Sequence, residues 1–413
     1  MERSFVVLGA GIVGVCTALA LQRDGFAVTL VDRDEPGRGC SFGNAGILHA
    51  GGVLPLGRPG ILARVPGMLL DPEGPLVIRW RHLPRLAPWL ARMVVASRSS
   101  AVERGCKALA PLALGARAAY APLLKEALAE DLVRTRGELY AYRTRRGFDA
   151  AAWEMDVRRR FGVPVEVLDG KALREMEPAI SPEYQYAHYQ PASAYVASPH
   201  RLVQRLAGLF VAKGGTLLRR EVRDARPDRL VTDAGEIGFA NLVICAGAFS
   251  RRFAAGFGAD VPLETWRGYH IMVAPGSVNL NGLLVDGDMH FAVTPMEEGI
   301  RVAGLIELAS LDAPPDYARA DLFLKLARIL IPSFPAQAVS RWMGHRPGTP
   351  DSLPVIGRSP RQRNVFFNFG HGTLGLTFGA ITAQLLADLV AERPGAIAQA
   401  PYRAERFLSP VSV

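Results

Sequence analysis

The sequence predicts an α/β protein: a discontinuous Rossmann-like domain interrupted by a second, α+β domain built on an antiparallel sheet. Three features predict it. A glycine-rich turn links an apolar strand to an apolar helix within the first residues, a second glycine-rich strand-to-helix entrance lies near residue 370, and alternating strand-like runs fill the space between them.

The first entrance starts at Phe5-Val6-Val7-Leu8, an apolar run of strand length that feeds into Gly9-Ala10-Gly11-Ile12-Val13-Gly14, after which Val15 to Gln22 reads as a helix. Gly9 permits the tight turn, Gly11 lets backbone approach a pyrophosphate, and Gly14 lets the helix lie close to the strand. Amides at the helix start, including those of Ile12 and Val13, then face the phosphates. Gly25 closes the helix, and Val28 to Val31 forms a second strand ending at Asp32-Arg33. A carboxylate there accepts ribose hydroxyls, which is what an adenosine diphosphate carrier requires. FAD and a nicotinamide cofactor both fit this pattern. A small-residue loop, Cys40-Ser41-Phe42-Gly43-Asn44-Ala45-Gly46, follows and can wrap a pyrophosphate a second time.

Near the other end, Trp342 to Pro347 leads through Pro350 to Gly357 to a strand, Val365-Phe366-Phe367, and then to Gly370-His371-Gly372-Thr373-Leu374-Gly375. A helix is predicted from about 377 to 390. Between the two ends, Pro199 opens a helix to about Lys213, Thr216 to Leu218 is a strand, and Leu242 to Cys245 is a buried strand ending at Ala246-Gly247. The runs Tyr269 to Val273, Met289 to Thr294 and Gly299 to Leu305 alternate as antiparallel strands do, and helical patterns cover Leu109 to Ala129 and Asp321 to Ile331.

Read together, these residues resemble the D-amino acid oxidase superfamily of flavoproteins, and within it most closely the bacterial D-amino acid dehydrogenases. The likeness rests on the opening fingerprint with Asp32, Gly43-Asn44-Ala45-Gly46, Leu242 to Ala248, the Arg-Pro-x-x-Pro-Asp-x-x-Pro-x-x-Gly run from Arg346 to Gly357, and Gly370 to Gly375. The resemblance implies FAD, held by the glycine entrances, by Asp32 and Arg33, by Ser41, Asn44, Ala45 and Gly46, by Val222 at the adenine, and by Ala246 and Gly247. It implies an FAD-binding domain from 1–55, 190–260 and 340–395, a substrate domain from 56–189 and 261–339, and a tail from 396 to 413.

It also implies oxidation of D-amino acids to 2-oxo acids and ammonia by hydride transfer to flavin, with electrons passed to a quinone or respiratory acceptor. Arg346 is the expected carboxylate anchor, because a planar guanidinium gives two parallel charge-assisted bonds. An ion pair with Asp351 is its other reading. His49 is expected at the edge of the flavin and substrate pocket. Tyr269 and His270 occupy opposite faces of one strand, so at most one points inward, and Tyr269 is preferred. His290 is placed on a neighbouring strand, and His371 is expected to act through backbone geometry. A D-imino acid such as D-hydroxyproline is the nearest alternative substrate; a glycine- or sarcosine-type oxidase using oxygen comes next. A flavin-binding subunit without activity of its own, or a nicotinamide-dependent enzyme, is further away, since Arg346 is present and one full dinucleotide fingerprint is found.

Composition bounds the rest. The chain has 413 residues, 49% hydrophobic and 21% charged, which suits two folded domains. Its four cysteines, Cys16, Cys40, Cys106 and Cys245, form no CxxC pair and show no metal-like spacing with the eight histidines, so no metal is expected. No secretory signal and no membrane span are evident, and a cytoplasmic setting is expected. The net charge of +9 comes without a nucleic-acid-binding motif. From Gly60 to Arg98, apolar residues are mixed with Arg64, Arg79, Arg81, Arg85, Arg92 and Arg98. This composition suits either peripheral contact with the inner face of the membrane or packing on the substrate domain.

Overall fold

The computed structural model describes residues 4–408, except 62–64, 66, 68, 70 and 72. Its first layer is a six-stranded sheet ordered Thr216–Arg219, Ala27–Asp32, Ser4–Leu8, Leu242–Ile244, Val365–Phe369, Val355–Arg358, parallel except for the last strand. Parallel strands are covered on both faces, which is why they read as unbroken apolar runs. Phe5 and Val7 join a core shared with the helices Ile12–Arg23, Pro199–Ala212 and Gly375–Val390, while Val6 and Leu8 enter a separate core with Phe253 and Phe257 on the other face. A three-stranded antiparallel ribbon, Val222–Ala225, Arg229–Thr232 and Gly235–Gly238, flanks this layer.

The second layer is a mostly antiparallel sheet ordered Ser340–Gly348, Glu264–Val273, Gly299–Leu308, Phe291–Met296, Leu283–Asp286, Glu138–Tyr142, Tyr186–Gln190, Glu166–Asp169. The short strand Leu76–Ile78 pairs with Gly299–Leu308 in parallel. On one face lies the helix Tyr317–Leu330, whose Phe323, Leu326 and Leu330 meet Tyr269, Ile271 and Val273. The other face looks toward the glycine loops.

Strand pairing redraws one expected boundary. Ser340–Gly348 pairs along its whole length with Glu264–Val273, so the cofactor-side segment resumes after Gly348 rather than at 340. The expected tail after 396 packs on the rest of the chain as far as Leu408: Tyr402 is buried and its hydroxyl donates to Ala108 O at 2.6 Å, while Arg406 pairs with Asp351 at 2.8 Å. The helix expected at 109–129 runs Ser99–Glu126, and its two prolines, Pro111 and Pro122, are accommodated within it.

Candidate active site

A cavity of about 960 Å³ runs between the two layers. Every residue expected to bind the cofactor lines it, apart from Gly14 and Gly46. Those two act on neighbouring backbone. A Cβ on Gly14 would overlap the Gly9 carbonyl oxygen, so its absence sets how closely helix and strand approach; Gly9 itself has φ 108° and would strike the Cys245 carbonyl with any side chain. Gly46 N–H donates to Asn44 Oδ1 at 2.8 Å, closing the second loop on itself.

Polar bonds fix the rim. Ala10 N–H donates to Asp32 Oδ2 at 2.6 Å and Asp34 N–H to Asp32 Oδ1 at 3.0 Å, tying the first glycine turn to the end of the second strand. Burial raises the Asp32 pKa, against these backbone bonds, which lower it. Ser41 Oγ accepts Ile12 N–H at 3.0 Å, at the helix start. The Gly43–Gly46 loop is then clamped to the large sheet: Arg301 donates to Phe42 O at 3.0 Å and Asn44 O at 2.6 Å, and Thr294 Oγ1 donates to Ala45 O at 2.8 Å. Burial lowers the Arg301 pKa to about 10. Neither residue stood out in the sequence, because a clamp formed by strands about 250 positions downstream leaves no local pattern.

Arg346 lies on the cavity-facing side of Ser340–Gly348. Its Nη1 donates to Leu305 O at 2.8 Å and its Nη2 to Gly304 O at 3.3 Å. Those carbonyls are presented at a bulge, where the register shifts between Arg267↔Glu307 and Tyr269↔Gly304 and Leu305 takes φ 57°. The guanidinium lies over Gly268, whose hypothetical Cβ would overlap it. Burial lowers the Arg346 pKa, opposed by the nearby Cys40. No carboxylate pairs with Arg346 among the described residues. The alternative partner, Asp351, is taken by Arg406.

His49 also borders the cavity. Its Nδ1 lies 2.6 Å from Glu138 Oε2, and its backbone N–H donates to Thr377 Oγ1 at 3.1 Å, in the first turn of the helix Gly375–Val390. Burial works to raise the Glu138 pKa, but His49 and the hydroxyl of Tyr140, which donates at 2.9 Å, hold it below the usual carboxylate range. His371 contributes backbone to the wall, while its ring turns to Thr382 Oγ1 at 3.1 Å.

Tyr269 is not in the cavity wall, which corrects the sequence expectation. Its hydroxyl donates to Glu307 Oε2 at 2.6 Å and accepts Asp316 N–H at 3.0 Å, behind the sheet. The even-numbered residues of the strand, Trp266, Gly268 and His270, face the glycine loops instead. His270 stacks on Trp342 at 5.2 Å and its Nδ1 lies 3.2 Å from Gly43 O, so it supports the cofactor loop. His290 lines the cavity from the turn before Phe291–Met296, with φ 58°, rather than from a strand.

Comparison with known proteins shows the family and the fold. The profile of the FAD dependent oxidoreductase family matches residues 4–389. The chain belongs to this family. It is 35% identical to a D-amino-acid oxidase of Bradyrhizobium diazoefficiens, over 98% of this chain and 99% of that one. It is 32% identical to a D-amino acid dehydrogenase of Paramagnetospirillum magneticum over the same shares. Among solved structures, glycine oxidase from Geobacillus kaustophilus superposes with a TM-score of 0.76 at 24% identity, covering 98% of this chain and 99% of that one, which shows the shared fold.

The oxidoreductase's own residues fit FAD. Gly9, Gly11, Gly370 and Gly372 put bare backbone at the cavity wall, the first helix presents its start to it, and Asp32 lines it from the end of the second strand, a set of donors and a carboxylate that suits a dinucleotide. The described residues contain no cluster able to hold a metal ion. The four cysteines are free, and burial raises the thiols of Cys40 and Cys106 to about 11 and those of Cys16 and Cys245 to about 12, which suits packing rather than redox chemistry.

The Gly60–Arg98 segment turns largely inward. Ile61, Val65, Leu76, Ile78, Trp89, Leu90 and Met93 line the cavity, and Arg79 pairs with the buried Glu307 at 2.6 Å. Arg64 lies outside the described residues. Trp80, 67% exposed, remains at the surface with Arg81 and Arg85.

Proposed function

We propose that this enzyme oxidises D-amino acids to 2-oxo acids and ammonia and passes the electrons to a quinone or respiratory carrier. The observation that carries the reading is Arg346: a part-buried cation without a carboxylate partner among the described residues, facing the same cavity as the FAD cradle. A guanidinium has five N–H donors. With two on backbone carbonyls, others are free to take a substrate carboxylate, and charge-assisted bonds are strong where water is scarce. Bound FAD supplies the acceptor for the α-hydrogen, which leaves as hydride, and water hydrolyses the resulting imine. His49, oriented by Glu138, is the group suited to influence the proton of the amine. The protein orients the substrate, so a strong side-chain base is not required. The D-amino acid reading is supported by the relatives named for that substrate.

Anaerobic mixing of the purified yellow protein with D-amino acids, L-amino acids, hydroxyproline isomers, sarcosine and glycine tests the substrate. D-amino acids should bleach the flavin fastest. Bleaching by D-hydroxyproline or sarcosine alone would replace this reading with the imino acid or secondary amine one.

For the acceptor, exposed Trp80 beside Arg81 and Arg85 supports shallow contact with an anionic bilayer, where each arginine adds about 1 kcal/mol of attraction. No helix among the described residues is long and apolar enough to cross a membrane. Oxygen is the second reading, favoured by the inward turn of the segment's apolar residues and by the relative named D-amino-acid oxidase. Rapid reoxidation by a quinone analogue, with salt-sensitive liposome binding weakened by charge reversal of Arg81 and Arg85, is expected. Fast peroxide formation without liposome binding would establish the oxygen reading instead.

A further inference from the structure

Residues paired across neighbouring strands share one face of a sheet. Arg346 is paired with Trp266, Trp266 with Leu308, and Leu308 with Ile78, so the guanidinium heads a row of apolar side chains on the cavity-facing side. A second row, Ile306 with Leu76, runs two residues away on the same face. The helix Leu83–Ala96 closes over both. Its Trp89 packs edge-on against Trp266 at 5.8 Å between ring centres and donates from Nε1 to Gly348 O at 3.3 Å.

Leu56, Leu76, Leu90, Met93 and Ile306 are only partly buried in this cluster and line the cavity, so their open surface faces whatever enters. Among the charged side chains that line the cavity beyond this row, Arg58 and Arg158 are paired with Glu154, and His49 with Glu138. A substrate side chain lying along the row from Arg346 therefore meets hydrocarbon.

We propose, resting on the amino acid reading above, that this chamber selects amino acids with large apolar side chains, the carboxylate on Arg346 and the side chain against Trp266, Leu308, Leu76, Ile306, Leu90 and Met93. Each methylene moved from water into such a surface favours the substrate by roughly fourfold or more. Leucine carries three more carbons than alanine, an advantage on the order of 50-fold. A charged side chain loses its hydration with no partner in return.

The test is kcat/KM of the purified holoenzyme, with a dye as acceptor, for D-alanine, D-leucine, D-methionine, D-phenylalanine, D-aspartate and D-lysine. D-Leucine, D-methionine or D-phenylalanine should exceed D-alanine about 50-fold, with D-aspartate and D-lysine below it. Met93→Asp and Leu76→Asp should each lower the D-leucine to D-alanine ratio about tenfold, a ratio that does not depend on how much of the variant is folded. D-Alanine or a charged amino acid equal to or above the large apolar ones, or a ratio unmoved in both variants, overturns the chamber's role. Failure of every amino acid of either hand to reduce the flavin overturns the underlying reading, and this one with it.

Discussion

At Arg346, the strand register sets one guanidinium at the cavity wall. The guanidinium is held by two carbonyls from a bulge and rests on a residue without a side chain. Arg346→Leu should reduce kcat/KM for amino acids by an amount equivalent to about 2 to 5 kcal/mol of transition-state stabilisation, with FAD content unchanged. Near-normal kcat/KM in the flavin-loaded variant would remove the arginine from its role. Gly268→Ala tests the seat beneath it. The added methyl would displace the guanidinium, so KM should rise several-fold while the flavin spectrum stays as in the parent; an unchanged KM would mean that the arginine has room to shift. The identity of Arg346 was legible because it sits in a narrow motif. Its bed was not, since Gly304, Leu305 and Gly268 become neighbours only through strand pairing.

Among the elements, the loop Gly43–Gly46 shows how the two layers are joined. Its own sequence signals a turn at the cofactor, and Asn44 closes that turn locally. Its position comes from Arg301 and Thr294 on the large sheet. Arg301→Leu leaves two carbonyl oxygens without their donor, at a cost of about 1 to 3 kcal/mol each if they stay dry. FAD affinity, followed by fluorescence quenching as apoprotein is titrated, should fall tenfold or more. An unaltered dissociation constant would show that the loop holds its shape alone. The strand Glu264–Val273 teaches the opposite lesson. Alternation restricted the inward choice to Tyr269 or His270, but both are aromatic and polar at one tip, and hydropathy did not separate them. Parity was decided by Ile271 and Val273, which turn toward the helix Tyr317–Leu330 and take Tyr269 with them.

For the whole molecule, buried histidines couple stability to pH. Burial is the first cause that pushes His270 and His371 down to about 3 and His188 down to about 4. In the unfolded chain they titrate at about 6.5. Their folded values are depressed, so below that pH the unfolded chain takes up protons that the native protein refuses. The stability present above about 6.5 is thus lost as pH falls toward 4, at about 1.4 kcal/mol per histidine for each pH unit. The holoenzyme's melting temperature should begin to drop below pH 6.5, before most carboxylates titrate. A flat profile down to pH 4.5 would show that these imidazoles find proton-accepting partners on charging.

The sequence by itself determined the two glycine entrances, the acid at the end of the second strand, the discontinuous cofactor layer and the identity of the arginine at the pocket. These are local: a glycine turn between strand and helix, or an unbroken apolar strand, carries its constraint within a few residues. The tertiary structure alone decided which face of Glu264–Val273 looks inward, that Ser340–Gly348 belongs to the large sheet, which residues clamp the second loop, and that the apolar residues of 60–98 build the chamber beside Arg346. Each of these depends on register between segments far apart in the chain, and a shift of one residue would send every side chain of a strand to the opposite face.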